Sequence, residues 1–272
     1  MPKIFSVASW NVEHFANNRD RIRENVQFIQ QSNPDVFAIF EVEGKQVFSD
    51  FVSLMPTHNF FITEDLSKME TLVGVNRNLT AFVTQRQAIK SKIPTLRPGA
   101  LVTLAIDNQF YSVLFIHLKS LPDPRSWGLR DDMISHILNL KKALDRASRK
   151  PEGANFICMG DFNTMGLNVT YAKNDMSGAA ELARYGKRFK TREMRLLPKT
   201  APATWWGGQG TTIPKSNLDH VFASQTLQFQ TFDQGAEVSV RGWAELANEV
   251  EQTTWINDHS DHNLLYSEVV EP

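Results

Sequence analysis

Asn155-Phe156-Ile157-Cys158-Met159-Gly160-Asp161-Phe162-Asn163-Thr164 runs from an apolar stretch into a glycine, an acid and an amide. A short apolar run bounded by polar residues is the pattern of a strand buried in a sheet. Gly160 permits close approach of a neighbouring backbone, and Asp161 and Asn163, two residues apart, can aim both side chains at one ligand. An Asx-type turn is the competing reading of the same residues. The fold therefore turns on what lies on either side of this strand.

On its N-terminal side, the spacing of Ile134, Ile137, Leu138 and Leu144 predicts a helix from Leu129 to about Arg149, ended by Pro151. Before it, Leu101 to Ile106 and Gln109 to Leu118 read as strands joined at Asp107-Asn108, a hairpin without glycine. Farther back, Ile4 to Asn11 and the apolar run Val36 to Glu41 read as strands. Between them Ile22, Val26 and Ile29 define one face of a helix from Arg21 to Gln31, stopped by Asn33-Pro34-Asp35, and a second helix is expected from Lys45 to Leu54. On the C-terminal side Leu218 to Ala223 and Leu264 to Val270 supply further strands. Hairpins and crossovers together predict an α/β protein with mixed rather than all-parallel sheets. With no repeat and no compositional break, residues 1–272 are expected to form a single domain.

Composition sets outer bounds. A chain of 272 residues with 42% hydrophobic content can bury a substantial core. The formal net charge of -1 gives no long-range attraction to polyanions, so an anionic substrate must be met by a local basic patch. The single cysteine, Cys158, excludes an intramolecular disulfide and a cysteine-based zinc cluster, and fits a buried strand residue in a reducing compartment. Met1-Pro2-Lys3-Ile4-Phe5 does not begin a signal sequence, and no later run is long and apolar enough to cross a membrane, so a cytoplasmic, unprocessed chain is expected.

Polar residues recur at strand ends. Asn11, Glu41, His117, Asp161 and Asp219 fall there, and Asp261-His262 lies just before the final strand. Several such ends brought together make a pocket on a rigid frame. Glu41 follows Val36-Phe37-Ala38-Ile39-Phe40, where an ionised carboxylate needs a cation or strong donors to offset lost hydration. Asp258-His259-Ser260-Asp261-His262 is the densest group of titratable side chains, and Asp219-His220 adds an acid and a histidine. These histidines and carboxylates admit a zinc pair. The other strand ends contribute oxygen donors, which suit a hard cation such as magnesium. Alone, His117 reads as a strand-end histidine and Asn11 as the start of a turn.

In order, Trp10-Asn11-Val12-Glu13, Phe40-Glu41, His117-Leu118-Lys119-Ser120, Gly160-Asp161-Phe162-Asn163, Leu218-Asp219-His220-Val221 and Ser260-Asp261-His262 resemble the endonuclease/exonuclease/phosphatase superfamily across nearly the whole chain. The resemblance implies a DNase I-like four-layer α/β/β/α sandwich and a metal-dependent phosphoesterase, with Mg2+ as cofactor and Mn2+ able to substitute. It implies Glu41 as the principal metal ligand, with Asn11, Glu13 and Asp261 close to the metal. Asp161 orients or deprotonates the attacking water, Asn11, Asn163 and His117 face the phosphate, and His262 is paired with Asp219. Whether Asp161 or His262 takes the proton stays open. Arg130 matches a position where many members carry arginine, and reads equally as a solvated charge.

For the substrate, the cations Arg184, Lys187, Arg188, Lys190, Arg192, Arg195 and Lys199, followed by Trp205-Trp206, form a basic, aromatic segment. Such a segment can grip phosphates and stack bases, so nucleic acid is the expected substrate; a solvated helix face with two core tryptophans is the alternative. A small-molecule, inositol or lipid-headgroup phosphatase, and an inactive binding module, are the other functions the sequence admits. The glycine-rich loop Gly207-Gly208-Gln209-Gly210 leads toward Asp219 and can border the site.

Overall fold

The computed structural model describes residues 2–15, 18–43, 45–64, 69–169 and 175–272. In chain order the elements are β1 (Lys3–Asn11), α1 (Arg19–Ser32), β2 (Val36–Val42), α2 (Lys45–Leu54), β3 (His58–Ile62), β4 (Glu70–Asn76), β5 (Thr80–Arg86), β6 (Gly99–Ile106) and β7 (Gln109–His117). There follow α3 (Pro124–Ser148), β8 (Asn155–Asp161), α4 (Gly178–Lys190), β9 (Met194–Leu196), β10 (Asp219–Ser224), β11 (Gln228–Phe229), β12 (Ser239–Arg241), α5 (Glu249–Asp258) and β13 (Leu264–Val270).

The strands form two mixed sheets. One has the order β11-β13-β1-β2-β4-β3, with β12 also on β13; the other runs β5-β6-β7-β8-β10-β9. In each, one parallel pair sits at the centre, β1 with β2 and β7 with β8, and the remaining pairs are antiparallel.

The apolar runs are continuous because both faces of these strands are covered. Val36, Ala38 and Phe40 of β2 meet Val113, Phe115, Ile157 and Met159 of the opposite sheet in the central core. The alternate residues Phe37 and Ile39 pack outward with Ile22, Val26 and Ile29 of α1 and Val47 and Phe51 of α2. On the other side Leu114, Ile116, Phe156 and Cys158 pack against Met133, Ile134 and Ile137 of α3 and Tyr185 and Phe189 of α4. A period of two along each strand thus assigns residues to two cores, and the layers run helix, sheet, sheet, helix as the resemblance implied.

The sequence placed α2, β13 and the core of α1 correctly and erred at other edges. The long helix begins five residues before the expected Leu129, because Asp123 caps it, accepting from the amides of Arg125 and Ser126, and Pro124 opens the first turn. The hairpin at Asp107-Asn108 forms without glycine, both residues taking positive φ (47° and 61°), a conformation Asn and Asp tolerate. Strands β3, β4, β5, β9, β11 and β12 and helix α5 were not anticipated, and α4 was admitted only as the helix-face alternative for the basic segment.

Candidate active site

The polar strand ends converge where the two sheets meet. Register places them: His117 on β7 is paired with Asp161 on β8, and Asp161 is paired with Asp219 on β10. In the facing sheet Asn11 ends β1 opposite Phe40 of β2, so Asn11 and Glu41 lie side by side. Glu41 has a positive φ (62°) within a register shift between Ile39 and Val42, a bulge that re-aims its side chain. Gly160 keeps β8 close to β7: at its φ of 136° an added Cβ would lie 2.1 Å from the Ile116 carbonyl oxygen.

Asp161 is the hub. Its Oδ2 accepts from Asn11 Nδ2 at 3.2 Å and lies 3.5 Å from His117 Nε2 and 3.9 Å from His262 Nε2. Its Oδ1 accepts the backbone amide of Asn163 at 2.8 Å. Asn11 Nδ2 also reaches Glu41 Oε1 at 3.2 Å, and His117 Nε2 lies 3.6 Å from the same oxygen. His262 Nδ1 is 2.9 Å from Asp219 Oδ2, fixing the tautomer that leaves Nε2 toward the site. Asn163 donates to the Leu118 carbonyl, and Glu13 is held at the margin by Arg21 at 3.4 Å. The sequence-derived set Asn11, Glu13, Glu41, His117, Asp161, Asn163, Asp261 and His262 therefore lines one cavity, with Asp219 directly behind His262.

Burial governs the electrostatics. It raises Asp161, with the Asp219 carboxylate adding to the effect, to about 7. Burial alone would lower His262, but Asp219 and the neighbouring carboxylates outweigh it and hold the imidazole up at about 10. Burial, aided by Arg97, keeps His117 well below its usual range, hence neutral. Burial likewise raises Asp261, with Glu41 and Asp219 contributing, and raises Glu13, with Asp261 contributing.

These carboxylates make a site short of positive charge. Asp261 Oδ2 accepts from Trp205 Nε1 at 2.6 Å, while its buried Oδ1 has no hydrogen-bond partner. An orphaned carboxylate oxygen beside Glu41 and Asn11 fits a hard divalent cation bound through oxygens. Ligand atoms of Asp161, Asp219 and His262 also lie within 4.8 Å of one another. There, however, Asp219 and His262 already engage each other, and we read them as an acid–imidazole pair.

Several expectations change. Arg130 is neither solvated nor in the cavity: it is fully buried, paired with both oxygens of Glu181 at 2.8 and 3.0 Å, and donates to the carbonyls of Lys119, Leu121 and Gly166. It clamps the loops that border the site. His220 faces the opposite side of β10, against Thr164 Oγ1, and His259 packs on Asn25 and Trp255, so neither joins His117 and His262. The basic segment is largely consumed internally. Arg184 and Arg188 pair with Asp131, Arg195 is bound to Glu237, and Lys199 donates to the Asn217 side chain and the Asp219 carbonyl. Lys187 and Lys190 stay exposed. The two tryptophans divide: Trp206 packs with Trp243 and Ile256, whereas Trp205 lines the cavity.

Sequence reasoning missed several supporting groups. Thr204 Oγ1 accepts the amides of Leu218 and Asp219, Ser260 Oγ donates to the Asn11 carbonyl and accepts the His262 amide, and Trp10 Nε1 donates to the His262 carbonyl at 2.8 Å. Only the position of Trp10 and Ser260 inside the quoted motifs carried any signal for them.

The sequence matches the profile of the Endonuclease/Exonuclease/phosphatase family over residues 8–262. Among solved structures the chain is similar to a truncated TDP2 of Caenorhabditis elegans (TM-score 0.66, 14% identity, covering 98% of this chain and 97% of that one). It is similar to Danio rerio TDP2, solved with a single-strand DNA product (TM-score 0.64, 17% identity, 98% and 99%). A mannosyl-6-phosphatase of Bacteroides thetaiotaomicron shares the fold equally (TM-score 0.63, 14% identity, 98% and 100%). No curated protein matches the sequence.

Proposed function

Since the chain belongs to the endonuclease/exonuclease/phosphatase family, we propose that residues 1–272 act as one divalent-metal-dependent catalytic unit that hydrolyses a phosphodiester by in-line attack of water. The observation that carries this reading is the convergence of Asn11, His117 and His262 on Asp161 Oδ2, with the Asp261 oxygen that lacks a hydrogen-bond partner alongside, 3.9 Å from His262 Nε2. Glu41, Asn11 and Asp261, with Glu13 nearby, would hold the cation, Mg2+ or Mn2+. When bound it supplies positive charge against that developing on the phosphoryl oxygens.

The chain's own groups divide the rest of the work. Asp161, poised near neutrality, is suited to orient the attacking water and accept its proton. His262, held as an imidazolium by Asp219, presents a proton at Nε2 to the phosphoryl or leaving oxygen. Neutral His117 and the amides of Asn11 and Asn163 fix the phosphate without adding net charge. Of the two candidate bases, this reading assigns the role to Asp161, supported by its raised carboxyl and by the imidazolium form of His262.

Hydrolysis of bis(p-nitrophenyl) phosphate tests the proposal. Chelated protein is expected to be inactive and to recover with Mg2+ or Mn2+; full activity without metal would refute it. Nucleic acid remains a second reading of the substrate. Its support is the exposed pair Lys187 and Lys190, one turn along α4 from the cavity residues Ala183 and Gly186. A steep fall in affinity with salt, lessened when both lysines become alanine, would favour it.

A further inference from the structure

The cavity that holds the catalytic groups is much larger than a phosphate. Its volume is about 940 Å³, within the range of pockets that enclose a drug-sized ligand. From Asp161 and His262 it continues past Leu121, Pro122 and Met165 to a wall formed by α4 and to a rim of Leu196, Ile213 and Pro214. On α4 the residues Ala179, Leu182, Ala183 and Gly186 follow at helical spacing and face this space. Three of the nine large apolar side chains left exposed among the described residues, Leu121, Leu196 and Ile213, gather here. Among the described residues no lysine or arginine lines the cavity; its charged groups are the carboxylates Glu13, Glu41, Asp161 and Asp261 and the His262 imidazolium of the catalytic end.

Resting on the phosphodiesterase reading, we propose that this groove receives an apolar alcohol group, aryl or long-chain alkyl, esterified to the phosphate that Asp161 and His262 attack. A polynucleotide would bring a further phosphate every few ångströms into a groove whose described lining offers no lysine or arginine, whereas an apolar group covers side chains now facing water. Continuity with the catalytic cluster fixes the occupant as part of the substrate itself. Water adds its hydroxyl to phosphorus, the phosphorus–oxygen bond to the alcohol breaks, and the leaving oxygen takes a proton. The products are the free apolar alcohol and a phosphomonoester.

The groove can be narrowed without touching the core, because a Cβ added at Gly186 meets no atom within 4 Å. Two probe sets are used with the whole chain and Mg2+. One is methyl phosphodiesters of ethyl, octyl and naphthylmethyl alcohols, which leave with similar intrinsic ease. The other is the matching phosphonates, with a phosphorus–carbon bond in place of the scissile bond, titrated by calorimetry. A dinucleotide diester serves as comparison.

Octyl or naphthylmethyl phosphonate should bind at least tenfold more tightly than the ethyl compound, with kcat/KM of the diesters in the same order. In Gly186→Phe and Ala183→Asp, both checked by thermal unfolding, that preference should shrink to about threefold or less. Preference for octyl assigns an alkyl chain, and preference for naphthylmethyl an aromatic group. Equal binding of the three phosphonates, a preference that survives both substitutions, or tighter binding of the dinucleotide would overturn the proposal. If the phosphonate preference holds while no diester is cleaved, the groove stands and the hydrolase reading falls.

Discussion

His117 on β7 and Asp161 on β8 are register partners at the ends of two parallel strands, with Nε2 of one 3.5 Å from Oδ2 of the other. Asp219, across the antiparallel neighbour β10, stands at the same level. Three of the groups assigned to chemistry are thus positioned by sheet hydrogen bonding rather than by loop conformation, which makes single-residue tests interpretable without loss of the frame.

Glu41→Ala should abolish metal-supported turnover, by about 10² or more, and weaken Mn2+ binding followed by calorimetry. The thermal unfolding of the metal-free variant should remain close to that of the parent, since Glu41 sits at the cavity edge of β2. Undiminished Mn2+ affinity would remove Glu41 from the cation site.

Activity against pH should be bell-shaped. The acid limb reflects protonation of Asp161, which must be ionised to accept a proton, so rate rises with pH toward about 7, and a bound cation moves that limb lower. The alkaline limb reflects loss of the His262 proton near 10. His262→Ala should cost on the order of 10² in rate and erase the alkaline limb. Asp219→Asn should act in the same direction, and in the double variant the two losses should fall well short of multiplying. A double variant that pays the full product would separate the pair.

Arg130→Met should destabilise the fold by about 3–5 kcal/mol, the scale for leaving a buried carboxylate unpaired, here Glu181. Adding Glu181→Met should recover part of that loss in urea denaturation. A double variant no more stable than the single one would show that the contacts of Arg130 with loop carbonyls, not the ion pair, dominate.

Lys199 carries a stability signature with a definite sign. Burial lowers its ammonium from 10.5 to about 7, so between those values the unfolded chain binds a proton that the folded chain does not. Stability contributed through this group therefore rises with pH from about 7 to about 10.5 and is lowest below that window. The parent minus Lys199→Met difference in unfolding free energy should climb across the same range. A flat difference curve would show that the amine keeps its charge in the fold.

The sequence carried the strands buried on both faces, because β2, β7 and β8 leave apolar runs with no polar alternation to blur them. It carried Asn11, Glu41, Asp161 and Asp261-His262, because each interrupts or follows such a run with a group that needs a partner. It did not carry β3 or β5, whose half-exposed faces mix polar and apolar residues, or α4, whose cavity-facing side is alanine, leucine and glycine rather than a strong apolar stripe. Nor did it separate the seven cations between Arg184 and Lys199 into paired and free, since their partners Asp131 and Glu237 lie 53 and 42 residues away from Arg184 and Arg195.

The site straddles both sheets, and Asp261-His262 is brought to it by the pairing of β13 with β1 and by the contacts of Trp10, Trp205 and Ser260. The β5–β8 hairpins and crossover by themselves make no complete cluster, because Asp261 and His262 precede β13, a strand of the other sheet. A partly folded chain therefore brings His117 and Asp161 together without His262 beside them, and the cluster is complete only once both sheets have closed on each other.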